Sequence, residues 1–285
     1  MKLSKTERAA NAVIGFFLLL FAFLCIYPLY FVAINSFSLS TEVTKGVYFF
    51  PRGLTLENFS YVLQTPLIFT GILVSVARTV VGTLLNVLFC GFLGYMVTVR
   101  ELPLRKAIYR MIVATMYFTS GLIPWYMLMV SINFKNNFLL YVLPGAISAF
   151  YVVLIKTFVE SLPASLGESA ALDGAGTLTI FFRIIMPVSK PVLACVAVFG
   201  AVWQWNAWSD NMFLVTDARL QTLQYLLYRM LQSSGMSDSI TGQTSVQPMS
   251  IRLTMTFITV FPILLVYPFM QRFFVKGIML GSVKG

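Results

Sequence analysis

Six stretches of this chain are too long and too apolar to be the core elements of a water-soluble protein. They cover about residues 10–34, 67–99, 111–130, 138–159, 188–208 and 251–274. A helix that crosses the roughly 30 Å hydrocarbon layer of a bilayer needs about 20 such residues. Composition agrees, because 11% of the residues are charged and 58% are hydrophobic, whereas a soluble protein carries about 25% charged residues. The expected fold is an all-α polytopic membrane protein, with six transmembrane helices in a single domain over 1–285. The first run, behind Lys2, Lys5 and Arg8, is too long for the apolar part of a signal peptide, and no small-x-small cleavage site follows it. Leu24 before Cys25 does not suit a lipoprotein signal either. The run is therefore read as an uncleaved first helix.

The charges set an orientation. The net charge is +10, and the basic residues gather at the ends of the apolar runs. That is a topology pattern and not a nucleic-acid surface, so no nucleic-acid partner is expected. With both termini in the cytoplasm, 13 Lys and Arg lie inside and 6 outside, with Arg78 left within a span. The positive-inside rule supports this N-in, C-in arrangement. It puts 160–187 in the cytoplasm and the long polar segment 209–250 outside.

Several function classes drop out. The chain has no His, which removes His-ligated metals and His acid–base chemistry. Cys25, Cys90 and Cys195 fall inside apolar runs and read as small apolar groups. There is no phosphate-cradling Gly-x-x-x-x-Gly-Lys-Ser/Thr loop. All ten Asp and Glu fall in loops or at span ends, whereas a proton- or ion-coupled transporter or an intramembrane enzyme needs ionisable groups clustered at membrane depth.

The cytoplasmic stretch 160–187 is the most informative one. Pro163 suits a first helical turn, and Ser165 with Glu168 three residues on reads as a capping box. Gly174 and Gly176 permit a sharp turn, 177–185 can restart a helix, and Pro187 and Pro191 mark the entry to the next span. The result is a short helix, a glycine turn and a second helix lying across one membrane face.

This stretch resembles the "EAA" loop of ABC-importer permeases. Glu168 takes the Glu position, Ser169 and Ala170 the two Ala positions, Gly174 the Gly, and Ile184, Met186 and Pro187 the later Ile-x-Leu-Pro positions. Ser169 for Ala and Met186 for Leu are departures. Asp173-Gly174-Ala175 has the form common in sugar permeases, as does Thr55-Leu56-Glu57-Asn58-Phe59. The ending, from Tyr267-Pro268 through Gly277, Gly281, Ser282, Val283, Lys284 and Gly285, is similar to that of MalG-type carbohydrate permeases, closest to an LplC/YtcP-like subgroup.

The resemblance implies a type I ABC-importer transmembrane domain that carries an oligosaccharide, or another solute of that transporter class. It implies a second, MalF-like permease, two cytoplasmic ATPase subunits, an external solute-binding lipoprotein and surrounding membrane lipid. ATP and Mg would sit on the ATPase, and this chain would bind no cofactor or metal. Glu168, Ser169, Ala170, Ala171, Asp173 and Gly174 would couple to the ATPase, and Gly281, Ser282 and Lys284 of the tail would touch it.

Candidates for the substrate pathway come from the residues themselves. Gln204, Trp205 and Asn206 combine an aromatic face with amides at the outer end of the fifth span, a chemistry that suits sugars. Arg78 lies within the second span, where a cation either faces a cavity or a partner or, if the span starts above the bilayer, lies near the headgroups. No acid at matching depth is evident, so its counter-ion is expected from another subunit. Residues 220–231 read as an amphipathic helix lying on the membrane or on a partner. The Ser/Gly/Thr-rich stretch 233–247 reads as a loop.

Overall fold

The computed structural model describes residues 5–232 and 246–282. Among them the chain is helical throughout, with one isolated antiparallel bridge between Ser38 and Leu54. Three helices are long and apolar enough to cross a bilayer unaided. They lie in α1 (Lys5–Ser36), α4 (Pro66–Met96) and the last helix, α15 (Pro248–Ser282). Short helices α2 (Ser40–Val43) and α3 (Glu57–Gln64) lie between the first two.

The expected third and fourth spans are not continuous. The third is split into α5 (Arg105–Ala114) and α6 (Leu122–Ser131). Gly121 at the entry to α6 has φ of 78°, a backbone conformation that an ordinary side chain resists. The fourth is split into α7 (Leu139–Val142) and α8 (Ala149–Glu160). Pro144 lacks an N–H, and its ring would collide with the carbonyl four residues back, so α7 cannot continue. Beyond α8 come α9 (Ser165–Leu172) and α10 (Thr177–Ile180), a π-helical turn at Phe181–Ile185, α11 (Met186–Val188) and α12 (Lys190–Asn206). The chain bends by 80° between α8 and α9, and by 83° on entering α12. α13 (Ser209–Leu214) and α14 (Leu223–Gln232) complete the order.

The chain divides into two compact units, residues 1–69 with 227–261 and residues 70–226 with 262–285. In the first unit, Phe37, Phe59 and Phe257 form an aromatic triangle with ring centroids 4.8–5.8 Å apart. The Asn58 amide donates to the carbonyls of Ser36 and Ser38 and fixes the chain that leaves α1.

The second unit is built around α4. Ser75, Arg78, Gly82, Asn86 and Cys90 recur every three or four residues, so they share one face of that helix. All five are buried, and four of them meet the places where neighbouring helices break. Ser75 Oγ accepts from the Leu223 N–H at 2.9 Å. Arg78 donates to the Ala207 carbonyl at 3.3 Å, just past the end of α12. Asn86 donates to the Gly145 carbonyl, and Cys90 Sγ accepts from the Ser148 N–H at 3.3 Å, both in the gap between α7 and α8. Unpaired backbone in hydrocarbon costs several kcal/mol, so broken helices survive there only where protein groups replace the lost bonds.

Two other expectations change. The apolar face of α14 does not lie on a membrane or a partner, because Leu223, Leu226, Leu227 and Met230 are buried in the chain itself. Ser165 is not a cap either. Ala164 already has helical angles, and no side chain caps α9, so the capping box with Glu168 does not form.

Replacing Asn86 by Ala removes the donor to the buried Gly145 carbonyl. It should cost about 1–3 kcal/mol, the desolvation penalty of an unpaired group. A fall in the thermal midpoint of the detergent-purified protein will report it.

Candidate functional site

The elbow from α9 to α11 is the first candidate. Its turn is a Schellman motif. The Ala175 N–H donates to the Ala170 carbonyl at 2.9 Å and the Gly174 N–H to the Ala171 carbonyl at 3.0 Å. Gly174 has φ of 82°, which explains the residue, since nothing in this chain would crowd a side chain there. Ala170 and Ala175, the pair this motif brings together, pack on a buried cluster that includes Phe181, Tyr95, Ile155 and Leu193. Phe181 stands 5.4 Å from Phe92 and 5.8 Å from Tyr95 of α4 between ring centroids. The inner side of the elbow is thus bound to α4, α8 and α12.

Its outer side is bare. Glu168, Ser169, Ala171, Asp173 and Gly174 are exposed, and Ala170 is half-buried. Leu172 is 89% exposed. The short helix thus presents an acid, small residues and a largely uncovered leucine on one side. Of the tail residues, Gly281 and Ser282 fall in the last turn of α15, and Lys284 lies outside the described residues.

The second candidate is the cluster around Arg78, which is 1% exposed. Its counter-ion belongs to this chain, contrary to the expectation from sequence. The backbone turns extended at Ala207, and α13 then presents Asp210 to the guanidinium. The pair is bidentate, with NH1 to Oδ1 at 3.0 Å and NH2 to Oδ2 at 2.6 Å. Arg78 Nε donates to Gln204 Oε1 at 2.9 Å. The Tyr141 ring lies under the guanidinium, 4.7 Å from centroid to Cζ. The Tyr141 hydroxyl donates to the Leu220 carbonyl at 2.6 Å and accepts from the Asn211 amide.

The four expected pathway residues therefore separate. Arg78 and Gln204 are buried against each other, and Gly82 leaves the space that the Gln204 amide fills. Trp205 lines a wholly apolar groove of about 210 Å³ with Val76, Val80, Val202 and Ile263. Asn206 is exposed, with its amide turned back to the Val202 carbonyl. Sequence reading missed Tyr141 and Asn211, and did not pair Asp210 with Arg78. The polar positions at three- and four-residue spacing on α4 are the signal that could have pointed to partners within the chain.

Arg78→Leu strands Asp210 beside a polar cluster built for a cation. Breaking such a pair should cost about 3–5 kcal/mol, while the double change Arg78→Leu with Asp210→Leu should cost clearly less. A double-mutant cycle on thermal stability will measure the coupling. Arg78→Lys should not restore it, because an ammonium cannot reproduce the forked contact.

Comparison with known proteins places this architecture. No model of a known protein family matches the chain. It is 35% identical over 284 residues to the polygalacturonan/rhamnogalacturonan transport system permease protein YtcP of Bacillus subtilis (strain 168), covering 98% of this chain and 99% of that protein. It is 34% identical over 264 residues to protein LplC of the same organism, covering 91% and 90%. A crystal structure of a bacterial ABC transporter involved in the import of the acidic polysaccharide alginate contains a chain that matches with a TM-score of 0.88 and 26% identity, over 96% of this chain and 99% of that one. A relationship that runs end to end, on an all-helical chain with apolar spans, leaves one conclusion: the protein belongs to the integral membrane permease subunits of carbohydrate ABC importers.

Proposed function

We propose that this permease passes an oligosaccharide, delivered by an external solute-binding protein, into the cytoplasm. It works as a heterodimer with a second, MalF-like permease on two cytoplasmic ABC ATPases. ATP and Mg are held by the ATPases. The chain crosses the membrane six times with both termini inside, the broken helices counting as spans. Loop 160–187 faces the ATPase and 209–250 faces outward. The relatives named for polygalacturonan, rhamnogalacturonan and alginate support a saccharide cargo.

The observation that carries this reading is the elbow itself. It is exposed on one side and bound to the span helices through Phe181, Ala170 and Ala175 on the other. When the ATPase dimer closes on ATP, a push on α9 moves α4, α8 and α12 with it, because a packed cluster has few ways to yield. The two permeases then rock between inward-open and outward-open states, which sugar and binding protein stabilise differently. Asn206 and Trp205 are the pathway residues able to meet sugar directly. Arg78 and Gln204 serve by holding their helix in place.

Two substitutions at Gly174 separate backbone strain from a partner contact. Gly174→Ala should cost about 1–2 kcal/mol from the left-handed backbone and leave uptake measurable. Gly174→Asp adds bulk and charge on the bare face and should abolish uptake and co-purification of the ATPase. Glu168→Lys should weaken the same contact by about 2–5 kcal/mol. Normal uptake and ATPase retention in Gly174→Asp would remove the elbow from the coupling path. Orientation is checked by cysteine labelling in a Cys25→Ser background. A thiol placed at Ser40 should react with an impermeant reagent in intact cells, and one at Ser165 should not.

A further inference from the structure

The loop after α1 carries three large exposed rings in a row. Tyr48 is 58%, Phe49 70% and Phe50 78% exposed. Water is a poor home for such a run, and the described residues leave the rings largely uncovered.

The loop is not dangling. Three consecutive carbonyls are held by side chains of α1. Asn35 donates to Val47 at 2.9 Å, Tyr27 to Tyr48 at 3.3 Å, and Tyr30 to Phe49. Val43 and Val47 are buried, and Gly46, with φ of 91°, makes the turn between them. At the base, the Leu39 N–H donates to the Arg52 and Gly53 carbonyls at 3.0 Å. The Tyr48 ring continues a ladder of rings on α1, with Phe23, Tyr27 and Phe31 at centroid spacings of 5.8, 6.5 and 6.3 Å.

The anchoring residues give the depth. Tyr27 lies nine residues before Ser36, the end of α1, which is about 14 Å of helix. Counting the roughly 20 residues of a hydrocarbon crossing from Ala10 puts the far boundary of the core near Tyr30. The loop therefore turns back along its own span and stops at that boundary. This is where aromatic rings collect, between acyl chains and headgroups. It is also where a loop carbonyl lacks water and needs a protein donor, which Tyr27 and Tyr30 supply. Lys45 and Arg52, both exposed, flank the rings in sequence, and Lys45 is paired with Glu42 at 2.6 Å.

From this we infer that 48–50 is a membrane-seated wedge. Phe49 and Phe50 enter the interfacial layer of the leaflet at the Ser36 end of α1, and the occupant of this face is lipid. The wedge fixes the height of α1 in the bilayer, independently of the route the substrate takes.

The test uses the assembled importer in lipid nanodiscs, in a Cys25→Ser background because that native thiol is exposed. A nitroxide is attached at Phe50→Cys, with Phe49→Cys as a second site and exposed Glu57→Cys as the water reference. Oxygen concentrates in lipid and a nickel chelate stays in water. The expected result at both wedge sites is a collision ratio of oxygen to nickel several-fold above that at Glu57. A ratio equal to that at Glu57 would place the loop in water. Protection from both reagents would place it against another subunit. Either outcome overturns the inference.

Discussion

Backbone hydrogen bonding in a medium without water is the constraint on which the described spans depend. Continuous helices such as α1 meet it by themselves. Those that break at Gly121, Pro144 and Ala207 do not, and α4 supplies what two of them lack. Asn86 and Cys90 serve the gap between α7 and α8, while Arg78 and Ser75 serve the chain on either side of α13. The face of α4 that performs this is polar in a helix otherwise rich in Leu, Val and Phe. It stays hidden because Ser75, Arg78, Asn86 and Cys90 each have a specific counterpart. Gln204 Nε2 is among the buried polar atoms that lack a hydrogen-bond partner among the described residues, as is Thr83 Oγ1 on α4. The Gln204 side chain accepts from Arg78 through its oxygen, which orients the amide and leaves the nitrogen over Gly82.

The elbow depends on this frame. A short exposed helix can transmit force only if its other side cannot slip. Phe181 is wedged between Phe92 and Tyr95 near one end of α4, while Arg78 and Asp210 clamp the other end of α12 to the same helix. In the proposed coupling, displacement at Gly174 would be delivered to a helix pair tied at both ends, not to a flexible chain. The π-helical turn at Phe181–Ile185 lets the chain bend into α12 while still turning Phe181 and Ile185 inward.

Much of this was legible in the chain, and the failures have physical causes. The all-helical class and the family follow from apolar length and from the Glu168 to Pro187 spacing. The positive φ at Gly174 was foreseeable, because a helix that must reverse direction at once needs a residue without a side chain. The breaks at Gly121 and Pro144 were not read. Counting apolar length treats a run as one helix, although the turn residues stood inside the runs. Asp210 was not matched to Arg78 because it follows the end of the fifth apolar run and was taken to lie at a different depth. A run-by-run reading does not show that α13 brings Asp210 against the Arg78 guanidinium. The capping box failed because the chain enters α9 already helical at Ala164, so no N–H was waiting for Ser165.

The long separation between Arg78 and Asp210 bears on biosynthesis. The two are 132 residues apart in the chain, and a ribosome adds about 5–20 residues per second. The second helix therefore leaves the exit tunnel on the order of 10 s before its counter-ion exists. Asn86 waits for Gly145, 59 residues on. During that interval α4 carries a cation and an amide that its own chain cannot answer, and acyl chains cannot answer them either. Its integration must be held at the insertion machinery, or the charge drawn toward the headgroups, until α12 and α13 have been translated. The nascent chain thus passes through a stage in which α4 is complete but the groups that answer its polar face are not.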